Sequence, residues 1–285
     1  MLTGAIAGLT AGGIYAVLAV CLTLMARLVR VVNFAQVMVG GLAVYVASAL
    51  HSQGMPYLAG ALIGVLISVA LSCVLGLIMV RWFAEAGTDR RSAVSIAALV
   101  GILAASYLVF GSHPRPFVNL ISGSLFTLHG VAITTATLVI LAIAFLLAIA
   151  GHFVLSRTSI GLRLRALSER PTTAELIGVR TAPLTVAVWA VLGLAVAVVV
   201  ILAAPTLVSD QATLGLLVVP GCAAALVGGF RRLDLALIGG LGLGVLQGAL
   251  AQISSIGSYQ EAIPFVLILA VLMWSQRKEV WDVAR

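Results

Sequence analysis

GLRLRALSERPTTAELIGVR, residues 161–180, is a charged island in an otherwise apolar chain. Four of the sixteen Lys and Arg in 285 residues fall within it, Arg163, Arg165, Arg170 and Arg180, together with Glu169 and Glu175. The surroundings make the island informative. The chain is 62% hydrophobic and 9% charged, where an ordinary soluble domain carries roughly a quarter charged residues. Apolar segments of about twenty residues flank the island and recur along the chain, each long enough to cross a hydrocarbon core about 30 Å thick. In that core every backbone polar group needs an internal partner, so such segments form α-helices. They lack the polar/apolar alternation of a membrane barrel. The expected fold class is all-α, a polytopic helical membrane protein with about eight to ten spans.

Spans are expected at 2–26, 34–50, 57–80, 94–110, 133–154, 182–206, 212–229, 235–253 and 262–276, in a single transmembrane domain over 1–285. The stretch 155–181 is a loop within it. With the N-terminus outside and the C-terminus cytoplasmic, fifteen of the sixteen basic residues fall on the cytoplasmic side, from Arg27 and Arg30 to Lys278 and Arg285; only Arg115 is outside. Basic residues near span ends set orientation, and a wrong parity would scatter them. The island is then the largest cytoplasmic loop. The net charge of +7 is read as this loop bias and not as a nucleic-acid surface. The segments 34–50 and 212–229, the latter holding Pro220 and Gly221, are candidates for broken or re-entrant helices.

Two glycine ladders, Gly4, Gly8, Gly12 and Gly240, Gly244, Gly248, repeat every four residues. This spacing stacks small residues on one helix face and lets another helix approach closely. Tight packing and sliding between conformations are both open to them.

Several chemistries find no residues. The expected spans carry no Asp, Glu, Lys or Arg in their apolar interiors, whereas proton-coupled carriers and pumps use ionisable groups there. A P-loop needs a lysine after its glycines, and the one lysine, Lys278, follows Arg277 near the C-terminus. Cys21, Cys73 and Cys222 lie in apolar runs without metal-ligand spacing. His51, His113, His129 and His152 sit at or near expected loops and read as interfacial residues. MLTGAIAGLTAGG has no basic segment before its apolar run, so a cleaved signal peptide is not expected. The chain reads as a conduit, with no metal, cofactor or catalytic group of its own.

Within the island, Ile160, Leu164 and Leu167 stand at i, i+4 and i+7, one apolar face of a helix. Pro171 ends that helix by disfavouring the α conformation just before it. Thr172 to Glu175 fits a capping box, and Gly178 is placed to close the short helix as a left-handed cap. The expected product is a small knob carrying Ala174, Leu176 and Ile177. It suits insertion into a groove on a cytoplasmic partner; a lipid-facing amphipathic loop is the alternative.

SRTSIGLRLRALSERPTTAELIGV (156–179) resembles the cytoplasmic coupling loop of ABC-importer permeases of the branched-chain amino acid (LivH/LivM) type. Thr158, Gly161, Arg165, Ala166, Ala174 and Gly178-Val179 match that family's T-x-x-G-R-x-x-R-A run and the A-x-x-x-G-I after it. Leu162 stands where the first Arg is usual, with Arg163 one place later. GLTAGGIYAVLAVCLTLMARLVRVVNFAQ (8–36) and AAALVGGFRRLDLALIGGLGLGVLQG (223–248) resemble two further family segments. Gln36-Val37-Met38 replaces the usual His-Gly and acidic residue, and Gly229-Phe230-Arg231-Arg232 replaces a small turn.

The resemblance implies a permease subunit in the bacterial plasma (inner) membrane, paired with a second permease, identical or a paralogue. Two cytoplasmic ATPases would supply ATP and Mg²⁺ chemistry, and an extracytoplasmic binding protein would deliver the solute. Arg163, Arg165, Thr172, Ala174, Glu175, Leu176, Ile177 and Gly178 would couple the chain to the ATPase. Branched-chain or related amino acids are the leading solutes, with amides or urea beside them. Tyr15, Asn33, Gln36 and Gln247 are polar groups that a core hides only by pairing; they are candidates to line the path, or else interhelical hydrogen-bonding residues. A self-contained facilitator for a small neutral solute and a related ABC sugar permease are the alternatives.

Overall fold

The computed structural model describes residues 2–283 other than 113, 114, 116, 122, 129, 130, 208, 209 and 254–256. His113, His129 and Arg285 lie outside the described residues. The described residues form twelve α-helices in order: α1 (Leu2–Val29), α2 (Gln36–Ser52), α3 (Tyr57–Trp82), α4 (Thr88–Phe110), α5 (Thr135–Arg157), α6 (Ser159–Glu169), α7 (Pro171–Leu176), α8 (Thr181–Ala203), α9 (Gln211–Leu216), α10 (Val218–Val227), α11 (Leu233–Leu250) and α12 (Ile263–Val283). Among the described residues, six helical segments are long and apolar enough to cross a membrane: 2–29, 57–82, 88–110, 135–157, 181–206 and 233–250. Shorter apolar helices at Gln36–Ser52, Gln211–Val227 and Tyr259–Ser275 fall on the other three expected spans. Outside the all-helical expectation, one antiparallel strand pair, β1 (Ser124–Leu128) and β2 (Val131–Thr134), lies between α4 and α5.

The expected segment 212–229 is two helices. Proline has no N–H and its ring clashes with the carbonyl four residues earlier. For Pro220 that residue is Leu216, where α9 ends; α10 begins after Leu217. Asp210 caps α9, its Oδ2 accepting from the Thr213 N–H at 3.0 Å.

The bundle is organised around α1. Ala16 to Leu22 are essentially inaccessible, as expected of a helix that is apolar all round. It packs on α11, α5, α10 and α8, while α2, α3 and α8 form the adjoining group. Its most extensive partner is α11, and the two glycine ladders are that interface. A Cβ at Gly4 would fall on the Gly248 carbonyl oxygen, one at Gly8 on the Gly244 carbonyl oxygen, and one at Gly12 within 3.0 Å of the Leu241 carbonyl oxygen. Residue numbers rise on one helix as they fall on the other, so the pair is antiparallel. Without side chains between them, backbone rests on backbone.

Candidate functional site

The connection from α5 to α8 is built from local signals. The Thr158 hydroxyl accepts from the Gly161 N–H at 3.0 Å and starts α6. Gly161, Leu164 and Leu167 are buried while Arg163 and Arg165 are exposed. Ile160, the third member of the expected apolar face, is half exposed at its margin. Arg170 is extended, with φ −145° and ψ 95°, and breaks the path.

Two sequence expectations for α7 need correction. Pro171 opens this helix at its first position, where its fixed φ and missing N–H suit the unbonded first turn. Thr172 therefore lies inside the helix and makes no capping bond. Glu175 does not reach back either; its Oε1 accepts from the Thr181 hydroxyl at the start of α8. Ala174 is not part of an exposed knob but turned inward, 2% exposed. Leu176 and Ile177 carry the exposed apolar surface, at 88% and 72%. Gly178 (φ +86°) closes the helix: its N–H donates to Glu175 O at 2.9 Å and the Val179 N–H to Ala174 O at 3.0 Å. That pair of bonds is the Schellman closure.

Behind α7 lies a cavity of about 480 Å³, walled by Leu28 and Arg30, by Met79 and Glu85, by Arg91, and by Thr172, Glu175 and Thr181. It brings the ends of α1 and α3 and the starts of α4 and α8 to one place. Arg91 ties them together. Its Nε donates to Phe83 O at 2.8 Å, its Nη1 to Val29 O at 2.9 Å, and its Nη2 to Ala84 O. These are carbonyls at or just beyond the ends of α1 and α3, groups that a helix end leaves without partners. One turn on, the Ser95 hydroxyl accepts from the Phe34 N–H at 3.1 Å and donates to Val32 O at 2.9 Å. Ser92 accepts from the Val32 N–H at 3.4 Å. The first turns of α4 thus hold the α1–α2 link. Sequence reading missed this clamp, because Arg91 reads there only as a topology charge; the R-S-x-x-S spacing was the available signal.

The four candidate path residues do not converge. Asn33 and Gln36 lie in and after the α1–α2 link, 4% and 3% exposed. Asn33 Oδ1 and both amide atoms of Gln36 have no hydrogen-bond partner, nor has the buried Thr23 hydroxyl. Gln36 lies beside the Cys21 thiol, a weak hydrogen-bonding group. Tyr15, by contrast, borders Gly240 of α11 and lies near Glu261. Gln247 is on α11, its Nε2 donating to Gln260 O at 3.0 Å. Among the described histidines, His51 sits edge-on to Tyr57 at 5.7 Å and contacts Met55 O at 3.0 Å.

No curated protein matches the chain. A chain of the PsaBC structure from Streptococcus pneumoniae, in complex with Fab, aligns over 93% of this chain and 89% of its own length. The TM-score is 0.51 at 12% identity, which shows a shared fold. The profile of one family, described as "Branched-chain amino acid transport system / permease component", matches residues 4–272. Nearly the whole bundle, with the island inside it, falls within that match, and the chain belongs to this family of transport-system permease components.

Proposed function

We propose that this chain is the transmembrane subunit of a binding-protein-dependent ABC importer for branched-chain or related amino acids. It works with a second permease, two cytoplasmic ATPases holding ATP and Mg²⁺, and an extracytoplasmic binding protein, in a bacterial plasma membrane with its N-terminus outside. The observation that carries this reading is α7, in a chain of the permease family. A six-residue helix with both ends fixed holds Leu176 and Ile177 out into solvent, where they have nothing to bury against within the chain. Exposed apolar anchors on a rigid element suit a groove on a partner.

The Glu175–Thr181 bond joins α7 to α8, so a push on the knob reaches a long helix directly. Arg165 is exposed on the adjoining α6 and would meet the same partner. Asn33 and Gln36 are the stronger path candidates, since their unpartnered polar atoms would gain from a polar solute or water; Tyr15 and Gln247 belong to the α11 side.

The test is twofold. A tagged chain should co-purify with an ATPase, and Leu176→Ser or Glu175→Ala should abolish substrate-stimulated ATP hydrolysis while the protein still inserts. Concentrative, saturable uptake by this polypeptide alone in vesicles would overturn the proposal.

A further inference from the structure

A second cavity, of about 290 Å³, opens between α1, α5, α6 and α8 and is lined by Leu, Ile, Val, Ala and Gly alone. On α5 its wall is Leu147, Ala150, Gly151, Val154 and Leu155; on α8 it runs from Leu184 to Leu192. Each wall covers about 12 Å at 1.5 Å per helical residue. The groove closes at one end against α6, through Ile160 and Leu164. Two arginines lie one helical turn from lining residues at that end. Arg157 follows Val154 by three residues and Arg163 follows Ile160 by three, the spacing that puts side chains on neighbouring positions of one helix face. Both are exposed, and among the described residues neither has an ion pair.

The geometry points to a phospholipid site: one acyl chain of an anionic lipid from the leaflet on the arginine-rich side fills the groove, and its phosphate sits between Arg157 and Arg163. The charge identifies the occupant. An apolar slot ending at two unpaired cations, at the end of a membrane-spanning helix, matches a molecule that is apolar along its length and anionic at its tip. A second protein helix would fill the slot but would meet both cations only if it carried an acidic side chain at that one point. The lipid would bridge α5 and α8 to α6, the helix that carries α7, and so stiffen the seat of the knob. This site concerns the membrane alone and stands whichever solute the permease carries.

Each arginine beside an anionic headgroup is worth about a fivefold change in binding. The full-length chain in mixed micelles should therefore retain palmitoyl-oleoyl phosphatidylglycerol about 25-fold over phosphatidylcholine of the same chains, measured by native mass spectrometry. Arg157→Gln should cut that preference about fivefold. Ala187→Trp, placed on an exposed residue of the groove wall, should remove the retained lipid. Phosphatidylglycerol with a diazirine on its acyl chain should cross-link to peptides containing 147–154 and 184–192. Equal retention of the two lipids, meaning annular lipid only, or cross-links confined to other helices would overturn the site. So would undiminished retention in a folded Ala187→Trp chain; if that variant does not fold, the Arg157→Gln ratio and the cross-link map decide.

Discussion

The interface between α1 and α11 can be tested by two substitutions two residues apart. Gly242 and Gly244 are on the same helix, and Ala for Gly in a helix interior gains at most about 1 kcal/mol of intrinsic propensity at either position. Their surroundings differ. A Cβ at Gly242 meets nothing within 4 Å, whereas one at Gly244 would overlap the Gly12 backbone and lie 2.7 Å from the Gly8 carbonyl oxygen. Carbon atoms pack best at about 3.5–4.0 Å, so Gly244→Ala must push α11 back from α1 by on the order of 1 Å. A gap of that size forfeits a quarter to a half of each dispersion contact, and each contact is worth about 0.1–0.2 kcal/mol. If the interface holds about 40 atom pairs, as many as one buried Leu makes, the loss is about 1–4 kcal/mol, in line with the usual cost of overpacking. Unfolding in detergent micelles should therefore show Gly244→Ala about 1–4 kcal/mol less stable than Gly242→Ala, with propensity cancelling between them. Stabilities within about 0.5 kcal/mol of each other would mean that the helices do not touch backbone to backbone.

Three further outcomes are expected. Arg91→Lys keeps the charge but loses the planar fork, leaving carbonyls at Val29, Phe83 or Ala84 unpaired; limited proteolysis should cut the 83–87 connection faster, and an unchanged rate would argue against the clamp. Gln36→Leu removes a buried amide whose polar neighbour is the weakly bonding Cys21 thiol, so the melting temperature should rise with a gain of about 1–3 kcal/mol; a fall would show that the amide is well paired. Cysteine at Ser168, partly exposed on α6, should react with impermeant reagents only from the cytoplasmic side, and labelling from outside would reverse the proposed orientation.

The bundle was largely legible because its causes are local and compositional. Twenty apolar residues can do little but form a helix in hydrocarbon, and Pro220 breaks the helix at the residue its own chemistry dictates, four positions back. The ladders announced close approach, but spacing on one helix cannot name the partner; that Gly8 meets Gly244 is a tertiary fact. The start of the short helix departs from expectation for a related reason. Thr172 and Glu175 have the right identities and separation for a capping box, but Pro171 competes for the first helical position and takes it. That frees Glu175 to bond with Thr181. The Arg91 clamp joins residues about sixty positions apart, beyond the reach of any periodicity.

These contacts also fix where the bundle can yield. The α1–α11 pair meets backbone to backbone, and such a surface has no side-chain rotamers with which to adapt to a shift; packed interfaces move between discrete arrangements or not at all. The short helix α7 is attached differently. A side-chain hydrogen bond joins it to α8, and behind it stands a 480 Å³ cavity where a packed core would otherwise resist. Force on Leu176 and Ile177 would thus move α8, with α2 and α3 packed on it, before it could part α1 from α11. Arg91 lies on the line between the two groups, holding carbonyls at the ends of both α1 and α3. For the proposed lever to work, this guanidinium must either ride with one group or release it. Spin labels on α3 and α11 would therefore show their distance change under ATP only when Arg91 can let go. Holding Val29 to Ala84 with a cysteine cross-link should abolish that change, and a change that persists would place the moving boundary elsewhere.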